Sequence, residues 1–532
     1  MFFAIAWYNL RWYHRQITRG ETTMLALIKS FGLHGIEGFP VQAELDLHSG
    51  MPTYDIVGLA DTAVKESKER IRSALKYSGF NYPVASVVIN LAPADQKKEG
   101  TLYDLPIAIG MLAASKQIPY ETLRRDAVYL GELSLNGQVR KVNGILPMII
   151  SARQQGEKVF VIPKDNANEA VFIEGAEIYA VETLAEAVAF ATGQDTVKPL
   201  EIRSWANDVA VNHGDNDFKY VKGQYAAKRA MEIAVAGGHN ILLIGPPGAG
   251  KTMIARAVPS IMPAMTFDEA LEVAKIHSVS GKLTDGFIYQ RPFRTPHHSS
   301  TMVALTGGGN KARPGEISLA HNGVLFLDEL PEYNRQTLET LRQPLEDGVI
   351  TVSRNAISVT YPADFMLVAS MNPCPCGNYG SATAECTCSP SQIHRYLGKL
   401  SGPLLDRIDI HVEVDNVSYD ELQDDVLAED SATIRARVNR AREVQFARLG
   451  ASGKHTNSQM SSSDIKKYCK LDKQSTELLK ESFEKLNLSA RAYNRILKVA
   501  RTIADLDGSE NITAKHIAES LQYRMLDRKY RV

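Results

Sequence analysis

The hydrophobic and polar positions divide the chain into segments of different periodicity. From residue 24 to about residue 192, short alternating or apolar runs such as VQAELDLHSG and SVVINLAP are separated by glycine and proline and mixed with helical stretches at 61–77 and 105–116. Period-two runs are typical of strands, and apolar residues at helical spacing are typical of helices. This pattern predicts an α+β domain over residues 24–192, preceded by an N-terminal extension at 1–23.

Beyond this domain the pattern changes twice. The segment 193–217 is polar and lacks apolar periodicity, so it is interpreted as a linker. An α/β domain is predicted at 218–430, where apolar runs of strand length such as ILLI and VLFL occur. The following amphipathic stretches, separated by turn residues, predict a C-terminal helical domain at 431–532, with helices at 431–449, 474–486, 489–505 and 513–525.

Composition and charge narrow the class of protein. The chain has 532 residues, of which 44% are hydrophobic and 23% charged, as in soluble globular proteins. Its apolar runs are too short to span a membrane, and four of its five cysteines lie within 374–388, unlike a secreted disulfide framework. These features predict a cytoplasmic protein with no membrane partner. Residues 431–532 carry a net charge of +10, which permits a polyanionic partner but is also common on solvated helices.

One segment has the pattern of a phosphate-binding loop. The run ILLIGPPGAGKTMIARAV, residues 241–258, places an apolar strand before the glycine-rich turn and a helix-forming run after it. Glycines let successive backbone N–H groups surround phosphates, the lysine reaches the β- and γ-oxygens, and the threonine hydroxyl holds Mg²⁺. The sequence therefore predicts ATP and Mg²⁺ as cofactors, bound by Gly245, Pro246, Pro247, Gly248, Ala249, Gly250, Lys251 and Thr252.

Polar residues after two further apolar runs supply candidate catalytic groups. GVLFLDEL ends in two carboxylates, of which Asp328 would hold Mg²⁺ and Glu329 would orient or deprotonate the attacking water. DFMLVASMN ends in Asn372, which could bond the γ-phosphate or the water, or could simply cap a loop. Two acids behind a phosphate loop indicate a nucleotide hydrolase rather than a nucleotide-binding protein alone.

These residues resemble the AAA+ ATPases, and within them the branch of magnesium-chelatase subunits and MCM helicases. Asn372 resembles the sensor 1 residue of that class, Arg407 in SGPLLDRIDI its arginine finger, and Arg491 in SARAYNRIL the sensor 2 arginine. The resemblance implies a P-loop AAA+ core with a C-terminal helical lid. An arginine finger acts on the neighbouring subunit, which implies a ring, by default a homo-hexamer. The alternative for Arg407 is an internal pair with Asp406 or Asp409.

Longer strings identify the chain more narrowly. RPFRTPHHSSTMVALTGGGNKARPGEISLAHNGVLFLDELPEY, MNPCPCG and FGLHGIEGFPVQAELDLHSGMPTYDIVGLAD resemble the YifB/ComM family of magnesium-chelatase-like competence ATPases. The resemblance implies ATP-driven translocation on single-stranded or branched DNA, with branch migration in homologous recombination during natural transformation and recombination proteins as partners. The alternatives are a chelatase-type motor subunit acting on a non-DNA client, a non-enzymatic regulator and an ATP-dependent protease.

The N-terminal domain resembles the Lon protease domain, without its catalytic pair. A Ser–Lys dyad needs a hydroxyl that attacks and an amine that deprotonates it. When the chain is aligned with the Lon protease domain, Asp104 occupies the position of the catalytic serine and Val142 that of the catalytic lysine. Thr101, Arg140 and Lys141 lie nearby, but a shift of register would be needed to rebuild the dyad. We therefore expect a catalytically inactive domain with a scaffold or DNA-docking role.

A short cysteine-rich insert, 374–388, follows Asn372. Its two CxC pairs, Cys374 with Cys376 and Cys386 with Cys388, could close a tetrahedral Zn²⁺ site and stabilise a small loop without a core. Free thiols and a redox pair are the alternatives.

Three other residues could bind a metal but are interpreted as structural. Cys469 is expected to be a packing residue in the helical domain. His297 and His298 have no acidic or thiol partner nearby in the sequence and are expected to make core or interface contacts.

Two segments carry candidate DNA-binding cations. The insert TGGGNKARPGE, 306–316, contains Lys311 and Arg313, and the hairpin pattern VITVSRNAISVTY, 349–361, places Arg354 at its turn. In the MCM-like branch that this chain resembles, both elements project into the channel of the ring. The alternatives are solvated loop charges and salt bridges between subunits.

Overall fold

The computed structural model describes residues 25–194, 196–205, 216–283, 286–309, 312–354, 357–380, 384–417, 421, 423, 428–486 and 488–530. The chain forms two compact units that divide between Arg203 and Ser204, within the segment interpreted as a linker. The described part of this segment makes contacts on both sides of the division: the Leu200 N–H donates to Ile178 O at 2.7 Å, and the Trp205 ring stacks on that of Tyr289 with ring centroids 5.3 Å apart. Among the described residues, no helix combines the length and apolar character that crossing a membrane requires.

The first unit is built around a mixed sheet. The strands of this unit are β1 Ala26–His34, β2 Glu37–His48, β3 Tyr54–Val57, β4 Ser86–Ala92, β5 Ala127–Tyr129, β6 Glu132–Leu133, β7 Val139–Arg140, β8 Val159–Pro163 and β9 Glu177–Val181. The mixed sheet has the order β3-β4-β2-β1-β5-β8-β9. Strands β1 and β2 are long antiparallel neighbours with alternating burial, whereas β1, β5, β8 and β9 pair in parallel.

Helices cover this sheet. The most apolar of them, Asp104–Ala114, is buried along its whole length, which agrees with its sequence DLPIAIGMLAA. The α-helices of the unit are Thr62–Lys65, Ser67–Tyr77, Asp104–Ala114, Ile145–Gln154, Ala167–Ala170 and Leu184–Ala191, with 3₁₀ turns at Tyr120–Thr122 and Lys164–Asn166.

The second unit contains a parallel sheet and two antiparallel ribbons. Their strands are β10 Ile241–Ile244, β11 Phe293–Arg294, β12 Gly307–Gly308, β13 Arg313–Pro314, β14 Val324–Leu327, β15 Val349–Arg354, β16 Ile357–Pro362, β17 Met366–Met371 and β18 Ile410–Glu413. The parallel sheet has the order β11-β14-β17-β10-β18. Strands β10, β14 and β17 are buried at every position, as expected for a sheet covered on both faces. The ribbons β12–β13 and β15–β16 are separate two-stranded sheets.

The C-terminal helices belong to the same compact unit as this sheet. Ile434, Val438 and Ile503 share a core with strand residues such as Leu243 and Val368, while a second core lies among the helices themselves, around Leu479 and Ile496. The α-helices of the unit are Tyr225–Gly237, Lys251–Ile261, Phe267–Ser280, Met302–Thr306, Glu316–Leu319, Arg335–Glu339, Pro344–Asp347, Pro390–Leu397, Gly402–Leu405, Ser431–Leu449, Ser462–Tyr468, Lys473–Leu486, Ala490–Leu506 and Ala514–Tyr530. Its 3₁₀ turns are Phe218–Tyr220, Leu330–Glu332, Thr340–Arg342, Gly450–Ser452 and Asn457–Gln459.

Candidate functional site

The phosphate loop connects β10 to the helix Lys251–Ile261. Gly250 has φ of +87°, a conformation that favours glycine. Gly245 is required for space, because a Cβ atom there would lie 2.1 Å from Val414 O on the chain after β18. The glycines of the motif therefore let the loop turn tightly at the carboxyl edge of the sheet, where the helix begins.

Lys251 lies within this loop. Its Nζ donates to Gly245 O at 2.7 Å, to Pro246 O at 2.8 Å and to Asn372 Oδ1 at 3.1 Å. Burial lowers the pKa of Lys251, and the carboxylates of Asp328 and Glu329 act in the opposite direction. The contact with Asn372 follows from the sheet order, since β10 and β17 are parallel neighbours whose carboxyl ends meet.

A hydroxyl and a carboxylate meet beside the lysine. Thr252 Oγ1 donates to Asp328 Oδ2 at 2.9 Å, and the Ser370 hydroxyl donates to Asp328 Oδ1. Both Thr252 and Asp328 offer oxygen ligands, which suit Mg²⁺. Ser370 is a site residue that the sequence interpretation missed. The feature that identifies Ser370 is the register of the sheet. Leu327 pairs with Ala369, so the next position on each strand brings Ser370 beside Asp328.

Glu329 is presented outward from the same edge. It has φ of +53° and its side chain is half-exposed, while its backbone N–H donates to Asp328 Oδ1 at 3.1 Å. His298 Nδ1 lies 3.6 Å from Glu329 Oε2. Glu329 lies 31 positions further along the chain, so the sequence around His298 does not reveal this contact. His297 instead pairs with the Ser299 hydroxyl at 2.7 Å.

Arg407 lies at the opposite edge of the sheet from the phosphate loop, where β10 and β18 begin. The Asp409 N–H donates to Asn240 O at 3.0 Å and Asn240 Nδ2 donates to Arg407 O at 3.0 Å, and Asn240 directly precedes β10. The phosphate loop follows β10. A four-residue strand, about 13 Å long at 3.3 Å per residue, therefore separates Arg407 from the loop of its own chain.

Arg407 and Arg491 share one carboxylate. Arg407 Nη2 lies 2.6 Å from Glu346 Oε1, and Arg491 Nη2 lies 3.2 Å from the same oxygen. The Arg407 guanidinium lowers the pKa of Glu346. The sequence offered Asp406 or Asp409 as internal partners, but Glu346 takes the Arg407 ion pair. The structure brings the two arginines together and does not bring either of them to the Lys251 edge of the same chain.

A buried network fixes this arginine-bearing edge. Asp409 Oδ2 lies 3.2 Å from His239 Nδ1, and Asp409 Oδ1 lies 3.2 Å from Arg495 Nη1. Burial alone would raise the pKa of Asp409, but Arg495 and His239 hold it well below its ordinary value. Arg495 follows Arg491 by one turn in the helix Ala490–Leu506, so the network also places Arg491 beside the loop of Arg407.

The cysteines of the insert converge. The ligand atoms of Cys374, Cys376, Cys386 and Cys388, called the cysteine cluster below, all lie within 4.8 Å of one another. The Asn378 backbone N–H lowers the pKa of Cys376 to about 5. Cys469 lies elsewhere, buried in the helical core as expected, and burial raises its pKa to about 11.

The two candidate DNA elements are joined to each other. The Tyr361 hydroxyl, on β16, donates to Ala312 O at 2.8 Å, and Arg313 next to it is exposed. Arg354 is the last residue of β15, paired with Ile357. Lys311 and the turn residues 355–356 lie outside the described residues. The roles of Lys311, Arg313 and Arg354 stay predictions.

The residues at the protease positions are engaged in other contacts. Asp104 is buried and accepts two bonds from Arg70, at 2.6 and 2.9 Å. Burial raises the pKa of Asp104 to about 6, although Arg70 acts in the opposite direction. Val142 is fixed through its backbone by Asn166.

The nearby residues do not restore the missing dyad. Thr101 donates to Glu132, and Lys141 lies 3.4 Å from Glu169. Arg140 is exposed and ends β7 opposite Glu132. The absence of peptidase activity stays a prediction.

Comparison with known proteins identifies the family of this chain. The family model "Magnesium chelatase, subunit ChlI" matches residues 217–422, and those of ChlI and of its C-terminal part match 43–166 and 428–524. Competence protein ComM of Haemophilus influenzae is 46% identical over 95% of this chain and 98% of that protein. Protein YifB of Escherichia coli is 44% identical over the same shares. Lon protease 2 of Bacillus subtilis is 32% identical over 124 residues, 23% of this chain and 22% of that protein. The chain therefore belongs to the magnesium-chelatase-like AAA+ family that includes ComM and YifB.

Proposed function

We propose that this protein is an ATP hydrolase that works as a homo-hexameric ring and moves single-stranded or branched DNA, promoting branch migration in homologous recombination during natural transformation. The observation that carries the hydrolase activity is the convergence of Lys251, Thr252, Asp328 and Asn372 within hydrogen-bond distances at one edge of a parallel sheet. Ligands of open parallel sheets bind at this edge.

Each residue of the edge has a role in hydrolysis. Lys251 would exchange its carbonyl acceptors for phosphate oxygens, and Asn372, already its neighbour, would bond the γ-phosphate or the water. Glu329 would accept the proton of the attacking water. The oxygen donors Thr252 and Asp328 fit Mg²⁺, which when bound with ATP neutralises charge on the phosphates.

The position of the two arginines supports the proposed ring. Arg407 and Arg491 lie at the edge opposite their own phosphate loop, so the transition-state charge they neutralise would be on a neighbouring subunit. Arg407 Nε is buried without a hydrogen-bond partner among the described residues, which is unusual for a purely structural arginine. A contact that uses different faces of the two subunits closes into a ring when the rotation permits.

DNA is the proposed client for three reasons. Arg313 is exposed beside the hairpin of Arg354, and the Tyr361 bond joins the two elements. Residues 431–532 are basic by +10. The related protein of Haemophilus influenzae is named a competence protein. Cations on such elements would contact phosphates without regard to sequence.

The test is ATP turnover with and without single-stranded and branched DNA. We expect stimulation by DNA, lost at high salt, and no turnover in Lys251→Ala. Unstimulated turnover in the wild-type protein would contradict the DNA client and leave the hydrolase in place. The second candidate, a chelatase-type motor on a non-DNA client, is favoured by the three chelatase family models. It predicts turnover that responds to a client protein and not to DNA.

A further inference from the structure

The cysteine cluster has the dimensions of a metal site. Cys374 Sγ lies 3.3 Å from Cys376 Sγ and 3.7 Å from Cys386 Sγ, and the last two sulfurs are 3.6 Å apart. With Zn–S bonds of about 2.3 Å, tetrahedral geometry separates the sulfurs by about 3.8 Å. A disulfide would need about 2.05 Å. The observed spacing therefore fits four ligands around one ion better than a bonded pair.

Backbone groups are arranged to stabilise thiolates. The Tyr379 N–H points at Cys374 Sγ at 3.3 Å, and the Cys376 N–H points at Cys388 Sγ at 3.4 Å. Such N–H bonds to ligand sulfurs orient metal ligands and stabilise their negative charge. Four thiolates this close would repel one another without a cation among them.

The loop that carries the cluster is not stabilised by regular secondary structure of its own. Its described residues, 373–380 and 384–389, form neither helix nor strand. Cys374 is fully buried, whereas the other three cysteines are half-buried. A short segment without a core of its own is the kind of structure that bound zinc stabilises.

The loop also touches the phosphate loop. Gly377 has φ of +86°, and a Cβ atom there would lie 2.4 Å from Pro247 Cδ. Asn372, which accepts from Lys251, precedes Cys374 by only two residues. The cluster therefore lies close in space to the phosphate loop and close in sequence to Asn372 of the proposed nucleotide site.

We propose that the cysteine cluster binds one Zn²⁺ ion through its four thiolates, and that this ion holds the loop against the phosphate loop. The second half rests on the proposed nucleotide site, whereas the metal site stands without it. Zinc is preferred because four thiolates in a tetrahedron suit Zn²⁺, the other occupant of such a site being an iron–sulfur cluster.

Metal binding by the cysteine cluster is tested on the full-length protein. The protein is purified under reducing conditions, supplied with Zn²⁺ and then separated from excess metal. Elemental analysis should find about one zinc per chain and no iron. Cys376→Ser/Cys388→Ser should lose the zinc, and Cys469→Ser, the matched control outside the cluster, should keep it. A folded wild-type protein without zinc, a double variant that retains it, or iron with sulfide would each overturn the site.

A second measurement does not depend on the folding of the variants. Titration of wild-type thiols with a mercurial reagent, followed with a zinc-sensitive dye, should release the ion as about four thiols react. Replacement by Co²⁺ should give the thiolate charge-transfer and visible bands of a tetrahedral sulfur site. Thiols that react without zinc release, or a Co²⁺ spectrum of octahedral oxygen ligation, would contradict the proposal.

The coupling is tested by nucleotide binding. Removal of zinc from the wild-type protein with phenanthroline, which leaves Mg²⁺ in place, should raise the Kd for a fluorescent ATP analogue about tenfold, and zinc should restore it. An unchanged Kd would overturn the coupling and leave the metal site. A zinc-loaded protein that binds no nucleotide would instead contradict the proposed hydrolase.

Discussion

Arg407 and Glu346 form a 2.6 Å ion pair within one chain, at the edge of the parallel sheet that faces away from its own phosphate loop. Arg407 is almost completely buried, while Glu346 is half-exposed and also pairs with Arg491. Glu346 is therefore the shared acceptor of both arginines within one chain. In the proposed ring, phosphates bound by an adjoining subunit would compete with Glu346 for them, because they carry more negative charge than one carboxylate.

The first prediction concerns this shared site. Lys251→Ala and Arg407→Ala proteins should each lack ATP turnover, and an equal mixture that forms rings should recover about a quarter of wild-type activity. At random mixing, one interface in about four combines an intact Lys251 with an intact Arg407 from the neighbour. The recovery is measured as ATP turnover after the two proteins have exchanged subunits.

The control uses two residues of the same edge. Lys251 and Asp328 act in one chain, so a mixture of Lys251→Ala and Asp328→Ala proteins should recover nothing. Recovery in this control, or its absence in the Lys251 and Arg407 mixture, would contradict the assignment of Arg407 to the neighbouring site.

The second prediction concerns His298 as a positioning residue for Glu329. Glu329→Gln should keep ATP binding and slow turnover by about 10²- to 10⁴-fold, as for a lost general base. His298→Ala removes only the partner 3.6 Å from that carboxylate, so kcat should fall about threefold to tenfold with KM unchanged. His297→Ala, whose partner is Ser299, should resemble wild type. Equal effects of the two histidine variants, or an effect on KM alone, would argue against this role.

The third prediction concerns stability of the first unit. Arg70→Ala leaves the buried carboxylate of Asp104 without its ion-pair partner, so the free energy of unfolding should fall by about 3–5 kcal/mol. Lys29→Ala breaks a more exposed pair with Glu157 and should cost about 1 kcal/mol or less. Urea unfolding of both variants measures the difference. Similar losses in the two proteins would show that Asp104 tolerates burial without Arg70.

The fourth prediction concerns DNA contact. Changing Lys311, Arg313 and Arg354 to Ala should leave DNA-free ATP turnover near wild type and abolish its stimulation by DNA. The log–log salt slope of DNA binding should become shallower by roughly one unit per lost phosphate contact. Lys164→Ala removes an exposed cation that is paired with Glu182 in the first unit, outside the basic helices after residue 431, and serves as control. DNA-stimulated turnover in the triple variant would contradict the role of these three cations and point to the basic helices after residue 431 as the DNA site.

The fold was predictable where strong local patterns exist. The buried strands appear in the sequence as apolar runs. The helices expected near 61–77 and 105–116 are found at Ser67–Tyr77 and Asp104–Ala114. The segment 193–217 was less predictable. It is interpreted as a linker because it lacks apolar periodicity, and this lack does not reveal that Trp205 contacts Phe267 and Phe287, more than 60 positions away. Propensity and periodicity are local properties, and they do not report such contacts.

The phosphate loop and the two polar strand ends are recognisable from the amino-acid pattern, because a glycine-rich turn between a strand and a helix is typical of phosphate-binding loops and parallel strands present their carboxyl ends together. The pattern does not show which distant groups meet. Glu346 beside Arg407, His298 beside Glu329 and Arg70 beside Asp104 join residues from 31 to 61 positions apart. Such pairs depend on how whole elements pack, and the free energy of packing is spread over many apolar contacts that no motif records.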